Sequence, residues 1–267
     1  MTTKAAITAV HTLSPEYDIP DHLQRHLRRA DDFIRMAVIC AARAREKAPQ
    51  RDIAPEQTGV YIGTAYGPLE TNFESLGSLI DDGEGQISPT LFSHSVYNSS
   101  AGYVARLLNI RGPALTITTY TWPAVSALNE ARLAISSGRL QRAVVLGVET
   151  YSALLADAYR RSYNTDREPW FKSAVSWILD PADRVEGIFP TIDDIVVTEH
   201  HDDPAHYLTR TRESISGRDL PDSCERHPMG YARAMTRGFE HILSGKTGDA
   251  RQWEIGASFG EVKITLS

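Results

Sequence analysis

This chain of 267 residues has few cysteines, no long apolar run and no excess of positive charge. Its two cysteines, Cys40 and Cys224, lie far apart and give no disulfide framework, so we expect a cytoplasmic protein. No segment approaches the roughly 18 apolar residues of a membrane span. The N-terminus alternates in hydropathy and predicts a strand rather than a signal peptide. The net charge of −6 argues against a nucleic-acid partner.

Patterns for metal or cofactor binding are missing as well. Residues 200–203 read His-His-Asp-Asp, but adjacent side chains do not easily converge on one ion, so a solvated loop is favoured over a metal site. Residues 63–67 superficially resemble a glycine-rich phosphate loop but lack its Lys-Ser/Thr ending. The sequence therefore predicts no metal and no cofactor.

Short apolar segments bounded by glycine and polar residues alternate with segments of helical periodicity. Strands are predicted at residues 59–64, 114–119, 143–149, 173–179, 187–197 and 254–266. Helices are predicted at residues 31–48, 69–80, 95–108, 124–137 and 231–243. This alternation predicts an α/β fold with helices on the faces of a sheet. Residues 199–228, rich in His, Asp and Arg, mark a loop-rich junction.

The most specific motif lies between a predicted strand and a predicted helix, at residues 119–123, Thr-Tyr-Thr-Trp-Pro. It resembles the nucleophile turn of β-ketoacyl synthases, in which a strand ends in Thr-Ala-Cys-Ala/Ser and the cysteine heads a helix. Residues 87–102 (ISPTLFSHSVYNSSAG) and 109–113 (NIRGP) resemble the family segments upstream, and no insertion separates them from the turn. In this frame Thr121 stands where the family has its cysteine.

The chemistry of the two side chains makes this difference decisive. A condensing enzyme carries its acyl chain as a thioester. A thiol with a pKa of about 8.5 supplies some thiolate at neutral pH, and a helix N-terminus increases the thiolate fraction. A threonine hydroxyl needs a general base, and its ester is a poorer acyl donor than a thioester. Thr121 therefore predicts a chain without condensing activity.

The second half of the chain departs further from the family. The family's His-Gly-Thr-Gly-Thr motif and its catalytic lysine are absent. Residues 226–246 faintly resemble the family helix that carries the second histidine, which places His227 at that histidine's position. Glu261 stands where the family has a gating phenylalanine. The resemblance implies a thiolase-like fold with a complete N-terminal half, residues 1–198, and a shortened C-terminal half, residues 199–267.

Within the family, homologues without the cysteine pair with a catalytic ketosynthase as chain-length factors of type II polyketide synthases. The resemblance therefore implies a non-catalytic partner of a ketosynthase in polyene-type polyketide synthesis, reached by an acyl carrier protein through the complex. Two alternatives stay open: a decarboxylating ketosynthase variant, and a homodimeric scaffold that binds carrier protein. Four arginines share a predicted helical face, where a solvated surface is favoured over a phosphate or carrier-protein site: Arg25, Arg28, Arg29 and Arg35.

The resemblance also predicts two sets of site residues. The floor of the partner's acyl tunnel is expected to include Tyr66, Leu69, Asn72, Phe73, Leu76, Leu91, Phe92 and Tyr97, although Leu69, Phe73 and Leu76 fit an ordinary core equally well. The interface is expected to follow strand 114–119, which would otherwise leave an exposed edge, and to include Ser99, Ser100, Ala101, Gly102, Thr116, Thr118, Tyr120 and Trp122.

Overall fold

A computed structural model describes residues 3–83, 85, 88–163, 171–199, 214–215, 218–219, 227–245, 252–257 and 260–267. Residues 200–203 and Cys224, discussed above, lie outside the described residues. Within these ranges no helix is both long and apolar enough to cross a bilayer. The same ranges bring no three His, Cys, Asp or Glu side chains together in a way that could hold a metal ion.

One mixed sheet runs through the described part of the chain. Its strands follow the order β3-β2-β4-β5-β1-β6-β10-β9-β7-β8. Strand β2 is parallel to both β3 and β4, and the remaining pairs are antiparallel. The strands are β1 (Ala5–Leu13), β2 (Thr58–Thr64), β3 (Ala114–Thr118), β4 (Arg142–Glu149), β5 (Ser173–Pro181), β6 (Thr191–Glu199), β7 (Ser214–Ile215), β8 (Arg218–Asp219), β9 (Gln252–Ala257) and β10 (Gly260–Leu266).

The helices cover both faces of this sheet. They are α1 (Asp21–Leu27), α2 (Asp32–Lys47), α3 (Leu69–Asp82), α4 (Pro89–Ser95), α5 (Ser99–Leu107), α6 (Pro123–Ser136), α7 (Ala153–Tyr163) and α8 (Gly230–Leu243). Helices α2 and α5 pack on one face of the first five strands, whereas α6 and α8 share a core with the other face and with β6, β9 and β10. The predicted α/β class, with helices on the faces of a sheet, is confirmed.

Two predicted elements are wrong in their extent. The single strand expected at residues 254–266 is an antiparallel pair, β9 and β10, in register from Gly260 opposite Ala257 to Thr265 opposite Gln252. The helix expected at residues 95–108 is α5, which begins only at Ser99 because the chain is extended at Val96, where ψ is 124°. Helices α4 and α7 were not predicted, and the helical face expected for Arg25, Arg28, Arg29 and Arg35 is interrupted between α1 and α2.

The outward face of the β9–β10 pair is polar. Trp253, Ile255, Val262 and Ile264 are buried against α6 and α8, whereas the alternate residues Glu254, Glu261 and Lys263 are exposed. Lys263 Nζ lies 3.5 Å from Glu254 Oε1. This alternation is typical of a sheet with one solvated face. The described outward side chains of β9 and β10 therefore suit contact with solvent.

The predicted division into residues 1–198 and 199–267 falls at the end of β6, which finishes at Glu199. Strand β10 pairs with β6 along most of its length. Both predicted halves therefore contribute strands to one sheet, and the division itself stays a prediction.

Candidate functional site

The turn between β3 and α6 lies at the carboxyl ends of the parallel strands. Pro123 occupies the first turn of α6, where its missing N–H costs nothing. Thr121 Oγ1 lies 3.2 Å from Thr119 Oγ1, and Thr119 Oγ1 also accepts a hydrogen bond from Thr121 N at 3.4 Å. Within the turn, the Thr121 hydroxyl therefore contacts the neutral hydroxyl of Thr119. A threonine hydroxyl cannot act as a general base at neutral pH.

The start of α6 approaches β2 more closely than any side chain would allow. A Cβ added at Gly63 would overlap the carbonyl oxygen of Pro123. A Cβ at Gly147 of β4 would lie 3.1 Å from the Cβ of Ala124. The two glycines therefore let the sheet hold the turn from beneath, in the manner required where backbones pass at close range.

Trp122 does not face outward as the interface prediction supposed. It is buried, and its ring meets Tyr231 of α8 edge to face, with centroids 5.2 Å apart. The hydroxyl of Tyr231 accepts a hydrogen bond from Ala124 N at 3.3 Å. Because α8 packs under the turn and supplies this aromatic partner, Trp122 belongs to the chain's own core.

Glu149, at the end of β4, supports the neighbouring turn at residues 64–67. Its carboxyl accepts hydrogen bonds from Ala65 N, from Tyr66 N at 3.3 Å and from Thr64 Oγ1 at 3.0 Å. The group is fully buried, and burial raises its pKa to about 8, although the three donors oppose that shift. At neutral pH Glu149 is therefore a neutral acid that fixes the backbone leading into α3.

His227 is likewise buried and uncharged. Its Nδ1 accepts a hydrogen bond from Met229 N at 3.1 Å, and the Phe171 ring stacks on it with centroids 3.9 Å apart. Burial lowers its pKa to about 3; a hydrogen bond with the Phe171 backbone opposes this shift, and nearby Arg233 adds to it. The structure places the Met229 side chain against Gly147 and so brings this segment under the turn.

Exposed apolar side chains are frequent on the elements next to the turn. The Tyr66 and Tyr120 rings lie with centroids 5.5 Å apart, and Tyr120 is 72% exposed. Ile80 of α3 is 71% exposed and Phe92 of α4 is 60% exposed. The exposed apolar side chains of α3, α4, β3 and their adjoining turns are together called the α3–α4 face: Phe73, Leu76, Ile80, Phe92, Val96, Leu115 and Tyr120.

This placement bears on the predicted tunnel residues. Phe73, Leu76 and Phe92 are exposed, and Tyr66, Leu69, Asn72, Leu91 and Tyr97 are partly buried. Phe73 and Leu76 are therefore not ordinary core residues of this chain. Whether the set lines a tunnel stays a prediction.

The predicted interface residues divide between two sides of the chain. Ser100 and Ala101 are buried on the face of α5 that packs against α2, so their small size serves packing within the chain. Gly102 points outward, because an added Cβ would meet no atom within 4 Å. Ser99 and Thr116 are partly buried, while Thr118 and Tyr120 are exposed.

Strand β3 has a neighbour on one side only, β2, among the described strands. Asn98 lies across part of this strand: its amide donates to Ala114 O at 3.4 Å, and its Oδ1 accepts from Thr116 Oγ1 at 3.1 Å. An edge strand flanked by exposed apolar side chains is an aggregation hazard unless another chain covers it.

The fold and this strand–turn–helix site define a ketosynthase-like protein of thiolase-like fold. Residues 10–161 match the family model described as Beta-ketoacyl synthase, N-terminal domain. The match covers more than half of the chain, and the chain belongs to this family.

Curated relatives are longer than the chain. It is 27% identical over 157 residues to 3-oxoacyl-[acyl-carrier-protein] synthase 2 of Staphylococcus aureus, which covers 56% of this chain and 39% of the relative. It is 25% identical over 167 residues to the chloroplastic 3-oxoacyl-[acyl-carrier-protein] synthase I of Arabidopsis thaliana, covering 57% of this chain and 35% of the relative. The chain thus matches less than two-fifths of the length of these relatives.

Similar solved structures match nearly the whole chain. The ishigamide ketosynthase/chain length factor gives a TM-score of 0.72 at 14% identity and covers 98% of this chain and 99% of the matched chain. The ketosynthase ApeO in complex with its chain length factor ApeC from Xenorhabdus doucetiae gives a TM-score of 0.59 at 14% identity, with the same coverage. At these identities the likeness establishes the fold.

Glu149 and Tyr231 are the site residues that sequence reasoning missed. Glu149 ends an otherwise apolar strand, and a carboxylate in that position was a usable signal, because buried acids are rare without partners. Tyr231 gave no comparable signal, because its contact with Trp122 joins positions more than 100 residues apart.

Proposed function

We propose that this chain is a non-catalytic chain-length factor that pairs with a catalytic ketosynthase in type II polyketide synthesis of polyene type. The observation that carries the proposal is the unpaired edge of β3 beside the α3–α4 face. Exposed apolar area of this kind marks an interaction site in soluble proteins. The likeness to two complexes of a ketosynthase with a chain length factor supports this choice of partner.

The composition of the turn supports a role without catalysis. Thr121 has no thiol, and the bulk of Trp122 and the ring of Pro123 follow it. Glu149 and His227, two groups buried on segments that pack near the turn, are uncharged near neutral pH and so supply no charged base there. A condensing site needs a thiolate and groups that stabilise developing charge. In the proposed complex, the partner supplies them and receives acyl groups from the carrier protein.

The α3–α4 face supplies the means of setting chain length. In the proposed complex Phe73 and Leu76 point from α3 towards the partner, and Tyr66 lies beside the β3 turn. Each methylene of product gains about 0.8 kcal/mol on burial, whereas a steric clash costs about 1–3 kcal/mol. One ring in the path is therefore enough to stop elongation.

Co-expression with a catalytic ketosynthase from the same genome tests the pairing. We expect the two chains to co-elute as a heterodimer that buries roughly 2,000 Å² or more. Gly102→Trp should prevent co-elution, and it should leave the circular dichroism of the chain unchanged because a Cβ at this exposed position points away from the chain. A Gly102→Trp chain that still binds contradicts the proposed interface. A homodimer that ignores the ketosynthase would favour the scaffold alternative.

Product analysis of the complex tests the tunnel. Phe73→Ala should lengthen the polyketide products and Leu69→Trp should shorten them, while Leu133→Ala, an exposed apolar residue on α6, should leave them unchanged. Unaltered products from the Phe73 and Leu69 variants of an intact complex would refute the tunnel assignment. Loss of malonyl carboxyl groups catalysed by this chain alone would favour the decarboxylating alternative.

A further inference from the structure

A cleft of about 390 Å³ opens where β4 begins, among the ends of α2 and α5 and the loop before β2. Arg142 is the first residue of β4, and Glu149 is its last. The eight residues of β4 span roughly 25 Å. The cleft therefore lies at the opposite end of the parallel strands from Thr121 and its turn, away from the site described above.

Three arginines from three segments converge on this cleft: Arg45, Arg51 and Arg142. Behind them lies Asp180, which is fully buried. Arg142 binds the Asp180 carboxylate with Nε at 2.8 Å and Nη2 at 3.0 Å, and Arg51 Nη1 reaches the same group at 2.9 Å. The side chains of Arg142 and Arg51 are only 8% and 17% exposed. Two guanidinium groups are thus held rigidly at the wall of the cleft.

These hydrogen bonds leave some N–H groups of Arg142 and Arg45 unused. Arg142 uses Nε and Nη2, the latter also donating to Pro49 O. Its Nη1 has no acceptor among the described residues. Arg45 Nη1 donates to Leu108 O, which leaves its Nε and Nη2 without an acceptor among the described residues. Asn109, which follows α5 and has a φ of 52°, lines the same cleft.

The charges around the cleft do not balance. Three guanidinium groups face one carboxylate, that of Asp180, which leaves two positive charges; Glu46 at the rim is paired with Arg43 at 3.3 Å. Burial lowers the pKa of Arg45, and the neighbouring Arg142 lowers it further. An excess of two positive charges in a partly buried site favours a dianion.

The shape and the remaining walls narrow the class of ligand. Guanidinium groups bind phosphate oxygens in a planar, two-pronged geometry, and a phosphate monoester carries about two negative charges at neutral pH. The volume lies in the range of small-molecule sites and exceeds what a phosphate group alone needs. Ala42, Leu107 and Leu108 provide an apolar wall for the rest of the molecule.

We propose that this cleft binds the phosphate group of a small phosphate monoester, held by donors of Arg45 and Arg142 with its organic part against Leu107 and Leu108. Arg51 contributes its positive charge, because its Nη1 and Nη2 are bonded to Asp180 and Gln141. The site lies at the other end of β4 from Thr121, although its leucine wall stands at the end of α5, the helix that carries the proposed interface residue Gly102. Its occupancy would tie the end of α2 to the end of α5 and the start of β4.

Calorimetric titration of the full chain with phenyl phosphate and with inorganic phosphate, at matched ionic strength, tests this site. We expect saturable binding of both probes and tighter binding of phenyl phosphate, because its ring contacts the leucine wall. Arg45→Gln should weaken phenyl phosphate binding about tenfold, since a charge-assisted pair is lost. Arg111→Gln, an exposed arginine two residues from Asn109, should change affinity by less than about twofold.

A second variant protects the test against misfolding. Asn109→Asp places a carboxylate in the cleft at an exposed position whose backbone geometry Asp tolerates, and it should abolish binding while the circular dichroism stays unchanged. Absence of saturable binding up to about 10 mM phenyl phosphate overturns the proposal. Equal losses in the Arg45 and Arg111 variants also overturn it, because they would indicate general attraction of anions. Tighter binding of inorganic phosphate than of phenyl phosphate would overturn the assignment of an ester.

Discussion

Replacement of Glu149 by glutamine should remove a pH-dependent loss of stability that the buried carboxyl imposes on the chain. The carboxyl is fully buried and accepts hydrogen bonds from the turn at residues 64–67. Burial raises its pKa from 4.5 to about 8. A raised pKa means that the folded state favours the neutral acid. The contribution to stability is therefore complete below pH 4.5 and is lost as the pH rises through about 8.

The magnitude follows from the size of the shift. Each pH unit between the two pKa values changes the free energy of unfolding by about 1.4 kcal/mol. From pH 5 to pH 7 the Glu149 contribution should thus fall by about 2.5 kcal/mol. Glutamine keeps an acceptor for Ala65 N and Thr64 Oγ1 but does not titrate. The stability of Glu149→Gln relative to wild type should therefore increase steadily with pH across this range.

Urea unfolding at intervals between pH 5 and pH 8 measures this difference. Glu130→Gln, on the exposed side of α6, is the matched control and should follow the wild-type curve. Parallel curves for wild type and Glu149→Gln would refute the reasoning, because they would show that the three donors hold Glu149 ionised throughout. A Glu149→Gln chain whose free energy of unfolding falls relative to wild type as the pH rises would refute it more directly.

Two further predictions concern the nucleophile turn. Gly63→Ala should destabilise the chain by about 3 kcal/mol or more in urea unfolding, because the new Cβ overlaps the carbonyl of Pro123. The control is Gly77→Ala on α3, whose Cβ meets no atom within 4 Å. It should be neutral or stabilise the chain by up to about 1 kcal/mol. Thr121→Cys should add an alkylatable thiol without condensing activity, because groups of an active site act as a unit. Cys40 is buried, and its raised pKa keeps it unreactive towards the alkylating reagent. Condensing activity of the Thr121→Cys chain alone would contradict the loss of the other catalytic groups.

The sequence predicted most strands and helices because their apolar periodicity is strong. The buried strands β2 and β4 and the helices α2, α3 and α6 have nearly the expected bounds. The β9–β10 hairpin was read as one strand, because the alternation continues on both sides of the turn. The start of α5 was placed four residues too early, because no glycine or proline marks the extended residue Val96 that precedes it.

The position of the candidate site could be predicted, but not which way its side chains point. The family frame located the turn at Thr121 and the apolar residues of α3. The frame could not show that Ser100, Ala101 and Trp122 face inward, because that depends on where α2 and α8 pack. The orientation of a helix face is set by tertiary contacts between residues that are distant in sequence.

His227 should produce the opposite pH trend, and the two trends overlap. Burial lowers its pKa from 6.5 to about 3, so its contribution to stability is complete above pH 6.5 and is lost as the pH falls towards 3. Between pH 4.5 and 6.5 the Glu149 and His227 slopes, each about 1.4 kcal/mol per unit, cancel in the wild type. Only variants separate them.

His227→Asn preserves an acceptor for Met229 N and removes the titration. Across pH 4.5–6.5 its unfolding free energy should fall with rising pH, because only the Glu149 slope remains, whereas that of Glu149→Gln should rise. The double variant should lack both slopes. A single variant whose unfolding free energy stays constant over this range would show that the group it retains is charged in the folded chain. A constant value for His227→Asn would overturn the uncharged state of Glu149, and a constant value for Glu149→Gln would overturn that of His227.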